Sequence, residues 1–125
     1  MDSVSFDADL LRRLDPAEEV EIETKGKTGA STRTIIWIVV DGGCIYVRSV
    51  RGPRGQWYQR LRREPEGALH VAGARTPVRA VPVGDTAEIE RVSAALRRKY
   101  AHHEGPLAAM LRPETLPTTL RLEPA

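Results

Sequence analysis

From Val20 the chain alternates, with Val20, Ile22 and Thr24 on one side and Glu21 and Glu23 on the other. A period of two predicts a half-buried strand. Lys25-Gly26-Lys27-Thr28-Gly29 then reads as a turn. The run from Thr34 to Val40 is β-branched apart from Trp37, which predicts one strand covered on both faces. Asp41-Gly42-Gly43 supplies the positive-φ residues of a hairpin, and the return strand is Cys44 to about Val50. Two more strands, Ala68–Ala72 and Val78–Val83, are joined by Gly73–Pro77; Pro82 puts the second at an edge or a bulge. Thr118–Leu122 looks like a closing strand.

Between these lie helical patterns of period 3.6. Asp7 caps a short helix carrying Leu10, Leu11 and Leu14, ended by Asp15-Pro16. Trp57 and Leu61 stand four apart on another, which Pro65 stops. The best-marked helix starts at Asp85 with Glu88 three residues on, and Ile89, Val92, Leu96 and Tyr100 form its buried stripe. Acids in its first turn and Arg97-Arg98-Lys99 in its last match the helix dipole. Pro106–Leu111 is a further short helical segment. Six short, hairpin-linked strands with helices inserted between them predict a mainly β protein with α (α+β). The expected architecture is a six-stranded antiparallel split β-barrel with flanking helices, because closure removes exposed edges.

Length and composition add bounds. The 125 residues form one domain, 1–125, by the usual size relation, with 41% apolar and 29% charged residues as in a globular protein. The net charge of +2 conceals an asymmetry. Residues 1–24 hold eight acids against Arg12 and Arg13, whereas residues 25–63 hold nine bases and one acid, Asp41. A basic middle of this kind points to an anionic partner. The single cysteine, Cys44, excludes an internal disulfide and reads as a small apolar strand residue. No apolar run approaches the roughly 20 residues of a membrane span, and Met1-Asp2-Ser3 does not begin a signal peptide, so a cytoplasmic location without membrane partners is expected.

The basic residues are interleaved with glycines. Glycines permit close backbone approach, successive amides form anion-binding nests, and arginine adds a two-pronged donor. Lys25, Lys27, Thr28, Arg33, Ser49 and Arg51 offer this chemistry from loops around a very apolar hairpin. The combination suits a ligand with a phosphate at one end and a flat apolar body at the other.

Thr24-Lys25-Gly26-Lys27-Thr28-Gly29, then Arg33 and an apolar strand, resembles the opening of the split β-barrel flavoproteins. These are the pyridoxamine-phosphate-oxidase superfamily, with its deazaflavin-dependent reductases and their uncharacterised relatives. Trp57-Tyr58-Gln59-Arg60-Leu61 is similar to that subfamily's Trp-Tyr-x-Asn-Leu segment, and the likeness spans roughly residues 20–83. The resemblance implies a flavin- or deazaflavin-dependent oxidoreductase, binding FMN or the deazaflavin coenzyme F-420, that transfers hydride to or from a small organic substrate. It implies that Lys25, Lys27, Thr28 and Arg33 meet the cofactor phosphate or tail, and that Thr34, Ile35, Ile36 and Trp37 lie against the ring. Ser49, Val50, Arg51 and Gly52 would close over the phosphate, with Trp57 and Tyr58 at the cofactor or substrate edge. It implies a homodimer. Arg60 departs from the family's asparagine, and Glu64-Pro65 from an Asn-Pro pair.

No catalytic acid is marked; Tyr58 is the one guess. His102-His103-Glu104 reads as a frayed helix end and not a metal site, since adjacent residues point apart and no further ligand is placed by sequence. His70 reads as exposed strand surface. The alternative function is a non-catalytic or cofactor-free barrel that holds a flavin or another anion. A nucleic-acid binder stacking bases on Trp57 and Tyr58 ranks last, because the aromatics are few and the net charge is small.

Overall fold

The chain folds around one seven-stranded antiparallel sheet in the order β2-β1-β5-β6-β7-β4-β3, curled into a split barrel with helices packed on it. The structure is a computed structural model and describes residues 6–125, so the reading of Met1-Asp2-Ser3 lies outside the described residues. The strands are β1 (Val20–Lys25), β2 (Ser31–Ile36), β3 (Val39–Asp41), β4 (Cys44–Val47), β5 (Glu66–Val71), β6 (Ala74–Pro82) and β7 (Leu120–Pro124). The helices are α1 (Ala8–Leu14), α2 (Gln56–Arg63), α3 (Thr86–Lys99) and α4 (Glu104–Met110), with 3-10 turns at Gly52–Arg54 and Pro113–Thr118. Among the described residues no helix is long and apolar enough to cross a membrane.

The expected β1 alternation is present: Val20, Ile22 and Thr24 are buried while Glu21 and Glu23 face outward. Ile22, Ile45, Leu69, Val78, Leu120 and Leu122 fill the barrel, closed by Leu10, Leu14 and Leu61 from α1 and α2. A second core lies outside β3 and β4, where Val39 and Tyr46 meet Val92, Leu96, Tyr100 and Met110 of α3 and α4. β4 is therefore buried on both faces, Ile45 and Val47 inward and Tyr46 outward. Tyr46 also donates its O–H to Glu88 (2.5 Å), and Arg121 of β7 donates to the same carboxylate (2.9 Å), which ties α3 to the sheet.

Four expectations need correction. The run from Thr34 to Val40 is two strands, not one, because the chain leaves β2 after Ile36 and re-enters the sheet at its opposite edge as β3. This split accounts for seven strands where six were expected. β2 is also not covered on both faces: Ile35 is 61% exposed. The Gly73–Pro77 loop shrinks to a tight turn at Ala72 and Gly73, both at positive φ, and Ala74–Pro77 belongs to β6. Finally, β6 is an interior strand. Pro82 sits at its far end, beyond the last pair with β5 (Glu66 with Arg79), where β7 alone is alongside. No ladder bond on the β5 side is lost there.

Candidate functional site

The break between β2 and β3 shapes the cleft. At Trp37 and Ile38 the backbone leaves one ladder before joining the next, and buried peptide groups there require partners. Tyr100, wholly buried at the end of α3, accepts from the Ile38 N–H (3.2 Å) and donates to the Glu18 carbonyl (2.7 Å). Lys99 donates to the carbonyls of Ile38 (2.7 Å) and Leu14 (3.1 Å), and its burial pulls its pKa down to about 8. The Trp37 ring stacks on Tyr100 at 3.8 Å with 1° between planes. The split is thus held open by one aromatic pair and one amine.

Beside it lies a cleft of two adjacent chambers. The larger, about 520 Å³, is bounded by Ile35, Ile36, Trp37, Val50, Trp57, Pro106 and Met110, with Glu18, Glu19, His103 and Arg48 as its polar groups. The smaller, about 410 Å³, is bounded by Thr32, Thr34, Ser49, Arg51, Gly55, Gln56 and Arg60. Ile35, Val50 and Trp57 belong to both. An apolar chamber in this way adjoins a cationic, hydroxyl-rich one.

The loop from Ser49 to Gly55 is locked. Ser49 donates through Oγ to the Gly52 carbonyl (2.8 Å), and its N–H donates to Thr118 Oγ1 (3.0 Å). Gly52 takes φ +65° against the Glu114 backbone, and a Cβ on Gly55 would stand 2.2 Å from Ser49 Oγ. The positive φ favours glycine at Gly52, and a side chain at Gly55 would displace the Ser49 hydroxyl from its bond to the Gly52 carbonyl. The locked loop holds Arg51 at the cationic chamber.

Arg48 forms part of the floor of the apolar chamber as a buried cation. It donates to Thr119 Oγ1 (2.9 Å), Ser93 Oγ (2.9 Å) and the carbonyls of Ile89 (3.1 Å) and Met110 (3.4 Å). Burial, and then repulsion from Arg97, lowers its pKa to about 10.

Of the residues singled out by sequence, Thr34, Ile35, Ile36, Trp37, Ser49, Val50, Arg51 and Trp57 come together around the cleft. The others stand elsewhere. Lys25, Lys27 and Thr28 lie at the β1–β2 end and bound neither chamber. Arg33 pairs with Glu21 across β1–β2 (2.5 Å). Gly52 is a buried residue of the loop itself and bounds neither chamber. Tyr58 is in the barrel core, edge-on to Trp57, with its hydroxyl accepting from Arg62 (2.9 Å). His70 is not an exposed strand residue, because its ring is largely covered and meets Glu23 at 2.7 Å.

Sequence reasoning passed over Thr32, Gln56, Arg60, Arg48, Glu18, Glu19, His103 and Met110. Two signals were readable: Thr32 shares the Thr34 face at spacing two, and Gln56 and Arg60 stand four apart on α2. Glu18, Glu19, His103 and Met110 arrive from segments distant in the chain, and Arg48 adjoins Ser49 in sequence but is set in place by partners that fold onto it.

The fold is shared with solved structures. The heme storage protein HutZ from Vibrio cholerae matches with a TM-score of 0.71 at 12% identity, over 97% of this chain and 91% of that one. A putative pyridoxamine 5'-phosphate oxidase from Listeria innocua matches at 0.63 and 13% identity, over 94% and 90%. An F420-H2 dependent reductase, FDR-A, matches at 0.62 and 14% identity, over 85% and 93%. At these identities the likeness shows the fold alone, the split barrel of the pyridoxamine-phosphate-oxidase-like proteins. No curated protein sequence matches the chain. Residues 10–122 match the model of an uncharacterized protein family conserved in bacteria, DUF2255, and the chain belongs to that family.

Proposed function

We propose that the protein is a cytoplasmic oxidoreductase that holds FMN, or a deazaflavin of the F-420 kind, and exchanges hydride between that ring and a small organic substrate. The observation that carries this reading is the junction of two unlike chambers at Ile35, Val50 and Trp57. A flat ring would lie against Ile36 and Trp37, and an anionic tail would meet Thr34, Arg51 and Arg60. The fit rests on the locked Ser49–Gly55 loop, which holds the Arg51 guanidinium at the chamber ready for an anion without reorganisation. When bound, the cofactor supplies the hydride chemistry; the protein binds, orients and shields it. Ser49 shapes the loop, and Arg51 and Arg60 supply the charge. Two arginines around about 410 Å³ suit the single phosphate of FMN better than a longer acidic tail. Ile35 and Val50, 61% and 43% exposed at the cleft, support a homodimer that closes over them.

A second reading, a barrel that holds its ligand without turnover, is favoured by one observation. Tyr58, the guessed proton donor, lies in the core and away from both chambers.

Titration of the protein with FMN and with F-420, followed by visible absorbance, tests the site. One equivalent of FMN is expected to bind. Arg51→Ala and Arg60→Ala should each weaken it about tenfold or more, the worth of a charge-assisted hydrogen bond, while Lys27→Ala leaves it unchanged. Failure of both cofactors to bind, or an affinity in both arginine variants equal to that of the native chain, would end the proposal. Bleaching of the bound ring coupled to substrate conversion separates enzyme from carrier, and sedimentation of the loaded protein reports the dimer.

A further inference from the structure

The loop before β1 and the turn between α3 and α4 meet at the rim of the apolar chamber. Glu18 from the first and His102 and His103 from the second converge there, although more than eighty residues separate them. His102 Nε2 lies 2.8 Å from Glu18 Oε2, and His103 Nε2 lies 3.1 Å from Glu18 Oε1. The three donor atoms stand within 4.8 Å of one another. Both rings present the same nitrogen to the same carboxylate, with their centroids 4.1 Å apart.

The backbone beneath these side chains is pinned. The Glu18 carbonyl accepts from the Tyr100 hydroxyl (2.7 Å), the His103 N–H donates to the Tyr100 carbonyl (2.9 Å), and the His103 carbonyl accepts from Leu107 (2.8 Å). Tyr100 thereby anchors both ligand-bearing segments. Two imidazole nitrogens and a carboxylate on a fixed frame are what a catalytic-type divalent site requires, with coordination positions left over.

We infer that Glu18, His102 and His103 form a binding site for a first-row divalent cation, Zn²⁺ first among them. A nitrogen-rich, borderline donor set favours zinc over magnesium or calcium, which prefer oxygen ligands alone. Glu18 and His103 also bound the apolar chamber, so the open positions of the bound ion are available to water or to an oxygen of a molecule in the cleft. The site needs no flavin, and its test is run without one.

The full chain, free of cofactor, is titrated with Zn²⁺ and with Co²⁺ in a non-chelating buffer. Calorimetry gives stoichiometry, and the visible bands of Co²⁺ report nitrogen and oxygen ligation. One ion per chain is expected. Each of Glu18→Gln, His102→Ala and His103→Ala should weaken binding at least about tenfold, whereas His70→Ala, away from the cluster, should not. Zn²⁺ should raise Tm in the native chain and in His70→Ala but not in the three ligand variants. All three ligand side chains are partly exposed, so the variants are expected to fold, and their ion-free urea midpoints verify it. No binding by the native chain, or native affinity retained in the ligand variants, would overturn the site.

Discussion

Thr24 and Arg48 are both buried polar residues with opposite surroundings. Among the described residues the hydrogen-bond acceptors of Arg48 are neutral oxygens, yet they satisfy four of its donors and knit the end of β4 to α3, to the end of α4 and to the residue before β7. Thr24 is wholly buried in β1, and among the described residues its Oγ1 is the buried side-chain atom left without a hydrogen-bond partner. An unpaired buried hydroxyl costs about 1–3 kcal/mol by the measure of protein mutations. Valine keeps the branched shape and removes the hydroxyl. Thr24→Val is therefore expected to raise stability by about 1 kcal/mol, seen as a higher urea midpoint with an unchanged slope. A lower midpoint would mean that the hydroxyl has a partner in solution.

The break between β2 and β3 depends on a helix that follows it by some sixty residues. Tyr100→Phe keeps the ring against Trp37 but removes the acceptor for the Ile38 N–H and the donor to the Glu18 carbonyl. Leaving a buried amide unpaired predicts a loss of about 1–3 kcal/mol. Hydrogen exchange should quicken at Ile38 while the amides of β5 and β6 stay protected. Equal protection at Ile38 in the variant would show that another group, such as water, fills the role. The same dependence explains which elements were readable in advance. The Asp41–Gly43 hairpin and the Asp85-capped helix are encoded by neighbours in sequence, Gly42 and Gly43 at positive φ and the Asp85 carboxylate accepting from Glu88 N–H. The apolar run of residues 34–40 carries no such local mark of its break, because the groups that make the break affordable come from α3. The cleft divides similarly. Ile35, Trp37, Ser49 and Arg51 could be read from their own segments, but Arg48 and Glu18 gain their surroundings only from residues that fold onto them.

Because β2 and β3 are opposite edges of the sheet and successive in the chain, the curl of β1, β5, β6, β7 and β4 brings these edges around to a single connection. Hydrophobic filling holds this ring from inside, and on its outer face Glu23 of β1 reaches across to His70 of β5 (2.7 Å) and Arg75 of β6 (3.1 Å). Hydrogen bonds first from Arg75 and then from His70 pull the Glu23 carboxyl from 4.5 down to about 2. The folded protein therefore keeps this carboxylate charged at acidities that would protonate it in the unfolded chain. Such a group adds stability that is complete above 4.5 and is lost as pH falls from there through about 2. Arg75 is half exposed, so salt should screen part of the effect. Urea midpoints measured at low salt across that window should fall more steeply for the native chain than for Glu23→Gln, which cannot take up the proton. The two curves should converge toward the acid end, and added salt should narrow the gap between them above 4.5. Parallel curves would mean that Glu23 titrates alike in both states and that the three-strand tie contributes nothing to the closure of the ring.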